Sequence, residues 1–223
     1  MKKTYLVLGL GIFGSSAAKE LTKYGQDVIA IDKDMACVER LDEFVTQAVC
    51  LDFTDIDELR AVGVADANAA IIATGSRLEE SILAIMNLKQ LGVPFILAKA
   101  KNKRYGEIMS KCGADKIVLP EKEAGIRMAK TLLAWNVIDL MDIDSDYSIM
   151  EIKVPASWVG KSLIDLDIRN RYGMNALGIK SGVEHKLSIN PDPSYAFGAD
   201  DAVLVVAQKD IFKHYDELLK ERG

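Results

Sequence analysis

The residues best suited to chemistry lie at the front of the chain, in the loop Gly9-Leu10-Gly11-Ile12-Phe13-Gly14. An apolar run, Tyr5-Leu6-Val7-Leu8, leads into this loop, and Ser15-Ser16-Ala17-Ala18 leads out of it. A strand, three spaced glycines and a helix of small residues present backbone N–H groups and a helix amino end to an anion. Gly9 permits the tight turn, Gly11 lets a phosphate approach the backbone, and Gly14 lets the helix close on the strand. A second apolar run, Val28-Ile29-Ala30-Ile31, ends in Asp32, with Lys33 beside it. An acid about 20 residues beyond such a loop accepts hydrogen bonds from ribose hydroxyls. The pattern predicts a nucleotide-binding βαβ unit.

These residues need a scaffold that brings strand ends together. From residue 4 to about 119 the chain alternates apolar strands with helical stretches. The strands read as Tyr5–Leu8, Val28–Ile31, Ala48–Leu51, Ala69–Ala73, Phe95–Lys99 and Lys116–Leu119, and the helices start near Gly14, Met35, Ile56, Arg77 and Asn102. Continuous apolar strands joined by helices predict a Rossmann-like, doubly wound parallel sheet covered on both faces, an α/β fold. Ligands bind at the carboxyl ends of such strands. That rule adds Asp52 and Phe53, Thr74-Gly75-Ser76-Arg77, Lys99 and Glu121 to the candidate crevice. Asp52 reads as an adenine-side contact, and Thr54 or Asp55 as a helix cap. Lys99 suits either a phosphate or a neighbouring carboxylate equally well.

Pro120-Glu121-Lys122-Glu123 opens a helical pattern that reads to about Met141 and includes Trp135. Such a helix packs on a partner subunit, bridges two domains or covers its own sheet. The acidic run Asp142–Asp146 reads as a boundary, giving domains at 1–141 and 142–223. Beyond it the pattern is that of a small α+β carboxy-terminal domain: strands at Ser148–Val154, Ala176–Lys180, Lys186–Ile189 and Val203–Ala207. A short helix is expected between Trp158 and Arg169, and an amphipathic one over Ile211–Leu219.

The crevice has a place for a nucleotide but no evident acid, base or nucleophile. The chain's two histidines, His185 and His214, lie in the second domain and read as surface residues. No Tyr-x-x-x-Lys or Ser-x-x-x-Lys dyad follows the fourth strand. That predicts no enzyme, with a small NAD-dependent oxidoreductase as the alternative reading. Bulk properties narrow the field further. The 223 residues carry a net charge of −5, which gives nucleic-acid binding little electrostatic support. The longest apolar stretches are of strand length, so no transmembrane helix is expected. Cys37, Cys50 and Cys112 lack metal-ligand spacing and read as reduced thiols of a cytoplasmic protein.

Several segments together closely resemble the RCK family, the regulators of potassium conductance that act as cytosolic subunits of Ktr/Trk potassium uptake systems. They are Val7–Gly14, Asp32, Asp52-Phe53-Thr54-Asp55, Lys99-Ala100-Lys101-Asn102 and Gly113–Glu121, with Leu163–Arg169 and Tyr172–Asn175 matching the family's TrkA-C domain. The resemblance implies dimers assembled into an octameric ring beneath a membrane-embedded potassium-translocating subunit. It also implies ATP, ADP or NAD(H) in the first domain. The helix from about 124 to 141 would serve dimer assembly, and Glu121 would sit where a divalent cation, Mg or Ca, accompanies the terminal phosphate. By position, Ile164, Asp167, Ile168, Arg169, Asn175, Ala176 and Pro191 would line a cyclic di-AMP pocket, with Arg169 a plausible phosphate contact. One departure concerns the loop. Ile12 stands where many members carry an arginine that reaches the terminal phosphate, which removes a strong donor.

Overall fold

The computed structural model describes residues 2–74, 77–133, 137–182 and 186–208. Expectations for Gly75, Ser76, Trp135, His185, His214 and the helix over Ile211–Leu219 lie outside the described residues. The chain divides into two compact units, 1–122 and 123–223.

The first unit alternates strands and helices: β1 (Thr4–Leu8), α1 (Ile12–Lys23), β2 (Asp27–Asp32), α2 (Met35–Asp42), β3 (Gln47–Cys50), α3 (Ile56–Ala61), β4 (Ala69–Ile72), α4 (Leu78–Gln90), β5 (Ile96–Lys99), α5 (Lys103–Lys111) and β6 (Lys116–Val118). All strand pairs are parallel, in the order β3-β2-β1-β4-β5-β6. The order reverses between β2-β1 and β4, and the crevice outside that switch point is where such sheets bind ligands. Alternation along β1 assigns the two faces. Leu6 and Leu8 pack with Leu59, Ile85, Leu88 and Met109, from α3, α4 and α5. Val7 packs on the opposite face with Ala18, Val38 and Leu41, from α1 and α2. The sheet is therefore sandwiched by helices, as its unbroken apolar strands require.

α6 (Pro120–Leu133) begins with proline at its first helical position, where a missing N–H costs nothing. Ile126, Met128 and Leu132 on this helix are exposed. The helical pattern expected to reach Met141 ends earlier, at Leu133. β7 (Val137–Asp142) instead pairs antiparallel with β8 (Tyr147–Lys153). The β-branched Val137 and Ile138 favour a strand, and the ladder with β8 supplies the long-range bonds that decide it. The acidic run is the hairpin's turn: the Asp144 carboxylate accepts from the N–H of Asp146 (2.7 Å) and of Tyr147 (2.8 Å).

The rest of the second unit is α7 (Leu163–Leu166), α8 (Ile168–Tyr172), β9 (Asn175–Lys180), β10 (Leu187–Ile189) and β11 (Ala202–Gln208). Its antiparallel sheet has the order β10-β9-β11-β8-β7. Ser148, Met150 and Ile152 alternate inward along β8, and Val203, Val205 and Ala207 along β11. Their core is completed by Trp158, tilted against Tyr172 (5.4 Å between ring centroids) and Phe197 (6.1 Å). The architecture is thus a Rossmann-like α/β unit followed by a small α+β unit.

Asp201 holds the loops of this second unit. Its carboxylate is 5% exposed and accepts from Gly182 N (2.9 Å), Gly198 N (2.8 Å) and the Tyr195 hydroxyl (2.8 Å). Burial pushes the carboxyl up, but these donors outweigh it and hold it below its usual value. A depressed carboxyl stabilises the fold above the unfolded value of about 4, and that contribution is lost as pH falls through the folded value. Asp201→Ala is expected to destabilise the protein by about 2–4 kcal/mol in denaturant unfolding, because it leaves three donors without their acceptor. Asp201→Asn will flatten the acid limb of the stability profile as pH falls below the unfolded carboxyl value of about 4.

Candidate functional site

The glycine loop is built by close contact. Gly9 has φ +91°, and its N–H donates to the Ile31 carbonyl at 2.8 Å. A Cβ on Gly14 would fall 1.9 Å from the Gly9 carbonyl oxygen, so α1 lies against the loop with no room for a side chain. Gly11 differs from both. Its φ is −66°, and a Cβ there would meet nothing within 4 Å. The fold makes no demand for glycine at this position; what glycine leaves there is open space beside the first turn of α1. Gly11 is the N-cap, with no side-chain cap bond and no acidic residue in the following turn, so the positive helix end is not masked by its own chain.

Asp32 ties the end of β2 to this loop. One carboxylate oxygen accepts from Leu10 N at 2.6 Å and the other from Asp34 N at 3.0 Å. Each oxygen has a second lone pair, so the carboxylate can still accept hydroxyl donors. Gly9, Gly11, Asp32, Lys33, Phe53 and Thr74 line a cleft of about 270 Å³, completed by Ala73, Arg77, Glu80 and Lys99. Of the residues that the strand-end rule names, Phe53, Thr74, Arg77 and Lys99 line this cleft. Phe53 is 2% exposed and gives the cleft an apolar wall. Thr74 Oγ1 lies 2.9 Å from the buried Ser81 hydroxyl.

Other expected residues lie elsewhere. Asp52 is not in the lining. Its carboxylate accepts from the Thr54 hydroxyl (2.7 Å) and the Thr54 N–H (2.9 Å), and these bonds hold its carboxyl below the usual value. It forms the turn into α3, which Asp55 caps through Asp57 N and Glu58 N. Ile12 is 92% exposed and lines a neighbouring hollow of about 410 Å³, which meets the cleft at Gly11, with Ser16, Lys19 and Arg40. Gly14 is buried beneath the loop, and Phe13 lies with its ring centroid 5.7 Å from Lys99 Nζ. Of the two partners open to Lys99, the structure supplies the carboxylate: Lys99 Nζ lies 2.6 Å from Glu121 Oε1, which holds the Glu121 carboxyl below its usual value.

One participant leaves no mark in the sequence. Glu80, on the first turn of α4, lines the cleft and takes both Lys33 Nζ and Arg77 Nη1 on the same oxygen, each at 2.7 Å. The Lys33 bond lowers its carboxyl most, and Arg77 adds to the effect. A partner 47 residues away from Lys33 has no local signature. Among the described residues, which include neither histidine of the chain, no cysteine lines the cleft. Among the described residues, no group of three His, Cys, Asp or Glu side chains is arranged to hold a metal ion.

In the second unit the expected pocket residues divide. Ile164 and Arg169 are exposed, on α7 and α8. Asp167 joins those helices at φ +45° and accepts two bonds from Asn170 Nδ2, at 2.9 and 3.1 Å. Ile164 N donates to the Pro193 carbonyl at 3.2 Å, which brings α7 to the turn that contains Pro191. Asn175 and Ala176 open β9. Ile168, 5% exposed, belongs to the core and offers little surface within one copy.

Comparison with known proteins follows the same division. The TrkA-N domain family matches residues 5–120, and the TrkA-C domain family matches residues 149–220. Ktr system potassium uptake protein C of Bacillus subtilis is 36% identical over 206 residues, covering 92% of each chain. Ktr system potassium uptake protein A of the same organism is 33% identical and covers 96% of each. Among solved structures, the GsuK RCK domain overlays all of this chain with a TM-score of 0.66 at 18% identity. The GsuK channel bound to NAD does so with a TM-score of 0.64, also at 18% identity. The chain spans 49% and 40% of those two chains respectively, and at that identity the likeness concerns the fold. Among the described residues, no helix is long and apolar enough to cross a membrane. With a TrkA-N domain followed by a TrkA-C domain, and relatives above 30% identity across nearly its whole length, the chain belongs to the family of Ktr potassium uptake proteins.

Proposed function

We propose that this protein is a regulatory, nucleotide-binding subunit that gates a Ktr/Trk-type potassium-translocating membrane protein. The observation that carries the reading is the cleft itself. It joins an unmasked helix amino end, an open glycine and a ribose-facing carboxylate. Such a site suits a nucleotide held as a signal, and the sequence offers no Tyr-x-x-x-Lys or Ser-x-x-x-Lys dyad after the fourth strand to serve a dehydrogenase. The oxidoreductase alternative is the weaker reading for that reason. The ligand class is an adenine nucleotide, ATP or ADP, or NAD(H). Support comes from the glycine loop with Asp32, and from the overlay on a channel described as bound to NAD.

The protein works at the cytoplasmic face of the membrane through its partner, as a dimer within an octameric ring. The exposed apolar residues of α6, Ile126, Met128 and Leu132, support its assignment to the dimer interface. A divalent cation at Glu121 fits poorly within one copy: Lys99 already occupies the carboxylate, and no three-ligand cluster surrounds it among the described residues. Cyclic di-AMP is the ligand assigned to the second domain, with the exposed Arg169 as its phosphate contact.

Purified protein mixed with membranes should recover a potassium-translocating subunit, and its deletion should alter potassium uptake. Failure of both removes this reading. In calorimetry, Asp32→Ala will weaken adenine-nucleotide binding by about 1–3 kcal/mol. It removes ribose acceptors and releases the Leu10 N–H that sets the loop; unchanged affinity would place the ligand elsewhere. Arg169→Ala is expected to reduce cyclic di-AMP binding at least about tenfold while sparing nucleotide binding. Parallel loss of both ligands would instead indicate a folding defect.

A further inference from the structure

The cleft is unusual for an anion site in that its cations are already occupied. Lys33 and Arg77 share Glu80 Oε1, and Lys99 is bound to Glu121. Asp32 adds a further negative charge in the lining, and Asp52 is close enough to Lys33 to feel its field. Glu80 is the pivot of the arrangement. Its side chain is 23% exposed, against 44% for Lys33 and 62% for Arg77, so the two long cations fold onto a carboxylate held close to the fold.

Position gives this ion triad a consequence. Lys33 directly follows Asp32, the acid that faces the ribose hydroxyls, and a cation near that acid is what accommodates a phosphate on the ribose 2′-oxygen. Here the cation points at Glu80 instead. A 2′-phosphate entering this corner would need to displace Glu80 from two charge-assisted bonds and accept Asp32 and Glu80 as neighbours of like charge.

We propose that Glu80 is a selectivity residue: by holding Lys33 and Arg77, it makes the cleft reject adenine nucleotides phosphorylated at the ribose 2′-position and accept their unphosphorylated counterparts. The proposal rests on the nucleotide reading of the cleft and adds to it the class of nucleotide admitted. Glu80 acts through the two cations, so it is a positioning residue, and the informative readout is a ratio of affinities rather than an affinity.

The test is calorimetry on the full chain with two matched pairs, NADH against NADPH and ADP against the same molecule carrying a 2′-phosphate. Wild-type protein is expected to favour the unphosphorylated member of any pair it binds. Glu80→Gln keeps the side chain's size and frees the two cations. It should raise the affinity for the 2′-phosphorylated ligand about tenfold relative to its parent. Glu79→Gln removes the same charge from an exposed neighbour on α4 and should leave the ratio alone. If the ratio moves equally in both variants, the effect is one of bulk charge and the proposal is overturned. It is also overturned if the ratio does not move in Glu80→Gln while wild-type protein binds ADP or NADH. If wild-type protein binds none of the four ligands, the nucleotide reading fails first and takes this proposal with it.

Discussion

The contact on which the amino-terminal unit depends is between two glycines. The start of α1 touches the Gly9 carbonyl at Gly14, closer than any side chain allows. That approach sets where the helix begins, so it also sets where its unmasked N–H groups point. The loop is then pinned from the neighbouring strand by the 2.6 Å bond between Asp32 and Leu10 N. Backbone packing and one carboxylate thus position the glycine loop and the end of β2 together at the cleft. The other charged side chains of the cleft, Lys33, Arg77, Glu80 and Lys99, are arranged on that frame.

The two units solve the burial problem in opposite ways. The parallel sheet is covered on both faces, so its strands are apolar throughout and its chemistry is confined to strand ends. The antiparallel sheet alternates, and its loops are held by polar groups such as Asp201, Asp144 and the Ser162–Asp165 capping box at the start of α7. This difference in grammar is why the first unit concentrates candidate ligands at one edge while the second distributes them over helix joints and turns.

Much of this was legible in the residues alone. β1, the glycine loop and Asp32 are consecutive signals with strict spacing, and the remaining strands of the first sheet follow from apolar runs of the right length. What was not legible depended on partners distant in sequence. Val137 and Ile138 continue a helical period as readily as they begin a strand, and only pairing with β8 decides between them. The acidic run after them reads as a linker by composition but is a hydrogen-bonded turn. Asp52 sits at a strand end as the rule for such sheets expects, yet one oxygen of its carboxylate is engaged locally by Thr54. Glu80 has no motif at all, because its role exists only once β2 and α4 are side by side.

Gly11 has an implication for how this molecule can change. Glycine costs chain entropy on folding, and alanine at an ordinary φ with free space recovers about 0.4–1 kcal/mol of it, but alanine is a poorer N-cap than glycine by a comparable amount. A stability screen would therefore score this position close to neutral, and the opening beside α1 is a feature that the stability of the folded chain by itself gives no reason to keep.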